Sequence, residues 1–170
     1  MLESGYFRAK IAQENLIKAS SIPHSIVRAT QFYEFFQGIA DFSTDGNNVR
    51  LPHVLFQPMA ADDVASGMAR VAVGPPVNGI VEIAGPEKFC LDEFIRQGLV
   101  ARSDPREVVA DAHARYYGIE VKERTLIPED DAKLGKIRFE DWLTQTAAQI
   151  PGARAGAALS EEKESREKAS

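Results

Sequence analysis

SGYFRAKIAQENLIKASSIPHSIVRATQF, residues 4–32, carries the pattern that decides the fold. It opens as a helix. Phe7 and Ile11 stand one turn apart, and Tyr6, Lys10, Gln13 and Ile17 form a neighbouring stripe, so the spacing predicts a helix over residues 6–19. Pro23 biases Ile22 toward extended backbone and stops it. In HSIVRAT the β-branched pair Ile26 and Val27 reads as a buried strand. A helix feeding a single buried strand is the building unit of an α/β sheet.

The rest of the chain continues the alternation. Phe32, Tyr33, Phe35, Phe36 and Phe42 crowd one aromatic segment, followed by the turn cluster STDGNN and the short extended piece VRLP. FQPMAADDVASGMARVAVG predicts an extended lead-in and a helix, with Asp62 or Asp63 as its N-cap and Gly74-Pro75-Pro76 as its end. A strand is expected over residues 80–84, then a helix over LDEFIRQGLVA with Asp92 and Glu93 at its positive end. SDPREVVADAHARYYG predicts a short helix, VKERTLIPEDD irregular chain, and FEDWLTQTAAQI a last helix presenting Phe139, Trp142 and Leu143. After Pro151 the only large apolar residue is Leu159, so residues 151–170 read as a disordered or frayed polar tail on a unit spanning residues 1–150. The class is α/β with a parallel sheet. Two buried strands are fewer than a doubly wound sheet needs, so the chain reads as part of a larger one.

Composition narrows the functional classes. The net charge of −5 gives no general attraction to nucleic acid or anionic lipid. One cysteine, Cys90, cannot form an internal disulfide, which fits a reducing compartment. No apolar run has the length of a membrane span, and the start lacks a signal-peptide pattern, so the expected location is the cytoplasm. His24, His53 and His113 are scattered, and no Cys/His spacing suggests a metal site. Cys90, between Phe89 and Leu91, reads as a small core residue.

Tyr6 and Lys10 carry the clearest chemistry. A phenol near pKa 10 is a weak base at neutral pH. An ammonium one turn away favours the phenolate, so the tyrosine can exchange a proton with a substrate oxygen while the lysine donates to a sugar hydroxyl. Taken alone, a Tyr-x-x-x-Lys spacing is a common chance match.

The whole segment adds context. SGYFRAKIAQENLIKASSIPHSIVRATQF, with FQPMAADDVASGMA and NGIVEIAGPEKFCLDEFI after it, resembles the central and C-terminal segments of the short-chain dehydrogenase/reductase superfamily. It is most similar to the atypical, NmrA-like NAD(P)-binding branch, over roughly residues 4–145. The resemblance implies the C-terminal part of a Rossmann-type doubly wound parallel sheet with a small substrate-binding region. It implies Tyr6 as general acid/base and Lys10 as the residue that holds the nicotinamide ribose and tunes the tyrosine. Ala29, Thr30, Gln31 and Phe32 would form the loop touching the nicotinamide, and Phe35 and Phe36 would line the substrate pocket, although the aromatic cluster reads equally as core packing. Arg28 reads equally as an ion-pair partner or a ligand.

Two departures from the family stand out. No glycine-rich turn follows a strand to cradle a pyrophosphate, and the family's catalytic serine or threonine would fall before Met1. The expectation is an NAD(P)H-dependent oxidoreductase acting on a small carbonyl or related substrate, NADP placed ahead of NAD, with the dinucleotide-binding half outside this sequence. The alternatives are a non-catalytic NmrA-like sensor of dinucleotide or binder of a partner, and a shortened remnant without cofactor binding. Self-association through an open sheet edge is also expected.

Overall fold

The computed structural model describes residues 5–147. α1 (Gly5–Ala19) leads into β1 (Ser25–Ala29), and a 3-10 turn at Tyr33–Phe35 leads into α2 (Phe36–Phe42). β2 (Thr44–Asp45), β3 (Asn48–Leu51) and β4 (Leu55–Phe56) precede α3 (Ala61–Ala72). Then come β5 (Gly79–Ala84), β6 (Phe89–Cys90), α4 (Leu91–Ala101), β7 (Glu107–Ala110), β8 (Lys133–Leu134) and α5 (Phe139–Ala147).

The decisive pairing is parallel. β1 lies beside β5 in the register Ser25↔Gly79 to Ala29↔Ile83, and β8 continues the sheet in the order β1-β5-β8. SIVRAT and GIVEIAG, the two strands expected from the sequence, are therefore neighbours. Alternation along a strand sends successive side chains to opposite faces. On one face Ile83 packs against Gly67 of α3, where a Cβ would stand 3.0 Å from the Ile83 Cδ1 atom. On the other face Arg28 and its register partner Glu82 meet Glu14 of α1. Helices thus cover both faces of a parallel sheet, which is the doubly wound arrangement.

A second lobe holds most of the core. β3 sits between β2, joined through a turn at Gly46 with φ of +62°, and β7, which runs parallel to it. Tyr33 is fully buried among Phe94, Phe139 and Trp142, and the Phe94 and Phe139 rings lie 4.2 Å apart. Each such ring contributes about 1.5–3 kcal/mol by burial. The Tyr33 hydroxyl donates to the Ile137 carbonyl at 3.1 Å, which satisfies the one polar atom of that ring.

Three expectations need correction. SDPREVVADAHARYYG holds strand β7, not a helix: Pro105 and the β-branched Val108 and Val109 favour extended chain, and Arg106 ties it to Asp104 and Asp41. Neither Asp62 nor Asp63 caps α3. Ala60 occupies the N-cap, the Ala61 N–H donates to the Glu34 carboxylate at 3.1 Å, and Asp63 accepts the Lys136 and Ile137 amides at 2.8 Å. β1 is half-buried to exposed rather than buried, because no described strand lies on its outer side. Phe36, whose aromatic cluster reads equally as core packing or pocket lining, packs in the core, 3% exposed, edge-on to Phe139 and Trp142. The expected polar tail at residues 151–170 lies outside the described residues, as do the last three residues of the expected final helix.

Candidate functional site

A cleft of about 650 Å³ opens at the carboxyl ends of β1 and β5. In open α/β sheets this is where ligands bind, because loops diverge there and leave a crevice. α1 contributes Tyr6, Lys10, Ile11 and Glu14; β1 and the chain after it contribute Val27 to Gln31; Glu82 and Ile83 come from β5, and residues 124–129 close the far side. Five residues singled out from the sequence, Tyr6, Lys10, Ala29, Thr30 and Gln31, therefore meet on one cleft.

The remaining three stand elsewhere. Phe32 bridges to Met59 and stacks on Phe35, which is 56% exposed. Phe36 lines a separate cavity of about 370 Å³ with Glu34, Gln37, Arg102, Trp142 and Thr146. None of the three aromatics lines the cleft at Tyr6.

Tyr6 and Lys10 are held together. The Lys10 Nζ atom lies 5.7 Å from the centre of the Tyr6 ring, a cation–π distance, and donates to Gln13 Oε1 at 3.3 Å. Tyr6 is 64% exposed, at the mouth of the cleft.

Deeper in the cleft, charge is organised around Arg28. Its Nε donates to Glu14 Oε1 at 2.8 Å and its Nη2 to Glu14 Oε2 at 2.6 Å, a bidentate pair. Arg28 Nη1 also lies 3.8 Å from Glu82 Oε1, and Glu82 Oε2 accepts the Glu129 amide at 2.9 Å. The hydrogen bonds from Arg28 hold the Glu14 carboxyl below the usual carboxylate range. Arg28 is thus an ion-pair partner in this structure. The role of Glu14 was legible in principle, since it stands four residues after Lys10 on the same helix. The loop at residues 124–129 carried no such signal, because its place in the cleft depends on the chain returning to β8.

Two atoms test whether a nicotinamide fits. Thr30 Oγ1 and Gln31 Oε1 are shielded from water without a hydrogen-bond partner among the described residues. Buried polar atoms are normally paired, so these two fit a ligand that brings its own amide or hydroxyl groups, as the carboxamide of a nicotinamide does. Among the described residues the pyrophosphate end has no counterpart. Gly85 follows β5, but its missing side chain makes room for the Pro58 carbonyl rather than for a phosphate.

Other chemistry is sparse. Burial raises the pKa of the Cys90 thiol, the opposite of what a reactive thiolate needs. Among the described residues no group of three or more His, Cys, Asp or Glu is placed to hold a metal ion, and no helix is long and apolar enough to cross a membrane.

No protein-family model and no curated protein matches the sequence. Among solved structures, the chain is similar to that of RMD from Pseudomonas aeruginosa complexed with NADPH, with a TM-score of 0.51 and 16% sequence identity. The match covers 81% of this chain and 53% of that one, so the chain spans about half the length of the solved structure. At that identity the likeness concerns the fold: this chain has a Rossmann-type mixed α/β architecture.

Proposed function

We propose that the cleft between α1 and the ends of β1 and β5 is the nicotinamide end of a dinucleotide site. On this reading the chain is part of an NAD(P)H-dependent oxidoreductase of the short-chain dehydrogenase/reductase type, acting on a small carbonyl substrate. The observation that carries the reading is the convergence of Tyr6, Lys10, Ala29, Thr30 and Gln31 on one cleft at the carboxyl ends of parallel strands. The fold shared with an NADPH-complexed protein supports it.

The residues divide the work in this reading. Lys10 binds the ribose hydroxyls and keeps positive charge beside the Tyr6 ring. Tyr6, at the mouth, gives a proton to the substrate oxygen. Thr30 and Gln31 orient the carboxamide through the two atoms now without partners. The nicotinamide supplies the hydride when bound. NADPH is the preferred form in the proposal, and the pyrophosphate-binding turn belongs to a part of the protein outside this sequence.

The exposure of Tyr6 favours a second reading, a non-catalytic dinucleotide sensor, in which Lys10 binds and Tyr6 is idle. Turnover separates the two. In the protein completed with a dinucleotide-binding half, NADPH oxidation with a panel of small aldehydes and ketones is expected for the enzyme. NADPH binding without oxidation of any panel member would favour the sensor.

A further inference from the structure

α1 carries the two residues of greatest chemical interest, and most of its described side chains are exposed. Among its described side chains only Glu14 and Ile17 are partly shielded; the others, including Tyr6, Ile11 and Leu16, are exposed. Among the described side chains of α1, the hydrophobic anchoring that positions most surface helices is weak. The bidentate Glu14–Arg28 pair reaches from α1 to the sheet. Arg28 also faces Glu82, whose second oxygen takes the Glu129 amide. One chain of charge-assisted contacts therefore links α1, β1, β5 and the loop at residues 124–129. Those are the four walls of the cleft.

We infer that Glu14 is a positioning residue: through Arg28 it fixes α1, and with it Tyr6 and Lys10, over the mouth of the cleft. This rests on the reading of the cleft as a nicotinamide site only for its functional consequence, not for the clamp itself. The geometry gives the clamp its specificity. A guanidinium fork matches a carboxylate in two parallel bonds and so sets orientation as well as distance, which a lysine in the place of Arg28 would not. Glu14 is one helical turn beyond Lys10, and Lys10 one turn beyond Tyr6, so a rotation of α1 that breaks the pair turns both away together.

The test compares Glu14→Gln, Arg28→Met, the double variant and Arg28→Lys by amide hydrogen exchange, with the Tyr6 ring resonances followed by NMR. The clamp predicts that α1 amides exchange about two- to fivefold faster in Glu14→Gln, the scale of a good partly exposed ion pair. It predicts that the Tyr6 ring signals move toward free-chain values, that α4 stays protected, that the double variant is no worse than either single one, and that Arg28→Lys falls between. Unchanged α1 exchange and an unmoved Tyr6 ring in Glu14→Gln would overturn the inference, as would equal loss of protection in α1 and α4. NADPH titration of Lys10→Met separates the two ideas. NADPH-induced shifts that persist in Lys10→Met count against the nicotinamide site, while the exchange result still decides the clamp.

Discussion

The Lys10 ammonium lies over the Tyr6 ring, 5.7 Å from its centre, and both line a cleft whose floor is the end of a parallel strand pair. That relationship makes the two side chains separable by mutation. On the oxidoreductase reading, Tyr6→Phe keeps the ring and removes the proton donor. Steady-state kinetics should show kcat lower by about 10²–10⁴-fold with little change in dinucleotide affinity. Lys10→Met should lower affinity and turnover together. A silent Tyr6→Phe with a weakened Lys10→Met would identify a sensor instead.

The Glu14 carboxyl is held below its ordinary pKa by hydrogen bonds from Arg28. A depressed carboxylate stabilises the folded arrangement above its unfolded pKa, and that contribution is lost as pH falls through the folded value. Docking of α1 should therefore be intact at neutral pH and should weaken on acidification below the normal carboxylate range. Amide signals of α1 recorded across an acid titration should loosen in the wild type, while Glu14→Gln should be loose throughout and insensitive to this step. A pH-independent α1 in the wild type would contradict the assignment.

Gly98 of α4 faces the Phe36 ring, and a Cβ added there would lie 2.6 Å from Phe36 Cδ2. Phe36 is restrained by its edge-on packing against Phe139 and Trp142. Overpacking of about 1–3 kcal/mol should outweigh the gain of about 1 kcal/mol in helix propensity from Gly98→Ala. A net loss near 1 kcal/mol lowers Tm by about 2–4 °C for a chain of this size. A raised Tm would mean that the ring moves aside at no cost.

β1 is the outermost described strand of its sheet, and its outer side meets no other described strand. An open strand edge is a template for pairing. Light scattering of the chain should show self-association that grows with concentration, and substituting Val27 by proline should suppress it by removing an amide at the centre of β1. A monomer at all concentrations would count against an available edge.

Legibility in the sequence followed the length and regularity of each element. α1, β1 and β5 were readable because Phe7 and Ile11, or Ile26 and Val27, carry a period over enough residues. The parallel pairing of SIVRAT with GIVEIAG followed from the alternation of helix and strand. Strands of two residues, such as β4 and β6, are too short to show a period. β7 was misread because Val108 and Val109 sit in a segment with charged and small residues that also suits a helix, and its strand state depends on β3, more than fifty residues earlier. Asp63 has the chemistry of a cap, but long-range contacts gave the cap to Glu34 and Asp63 to the amides after β8. At the site, the residues of α1 and β1 were legible because they are close in sequence. Glu82 and the loop at residues 124–129 reach the cleft only through the fold.

Titration of this chain with NADPH, followed by amide shifts, tests the central claim most directly. The account predicts saturable shifts confined to Tyr6, Lys10 and residues 29–31, with an affinity on the order of millimolar, because no backbone turn among the described residues holds the pyrophosphate. Lys10→Met should abolish them. Shifts centred on another surface, or none at saturating NADPH, would contradict the claim that this cleft is the nicotinamide end of a dinucleotide site.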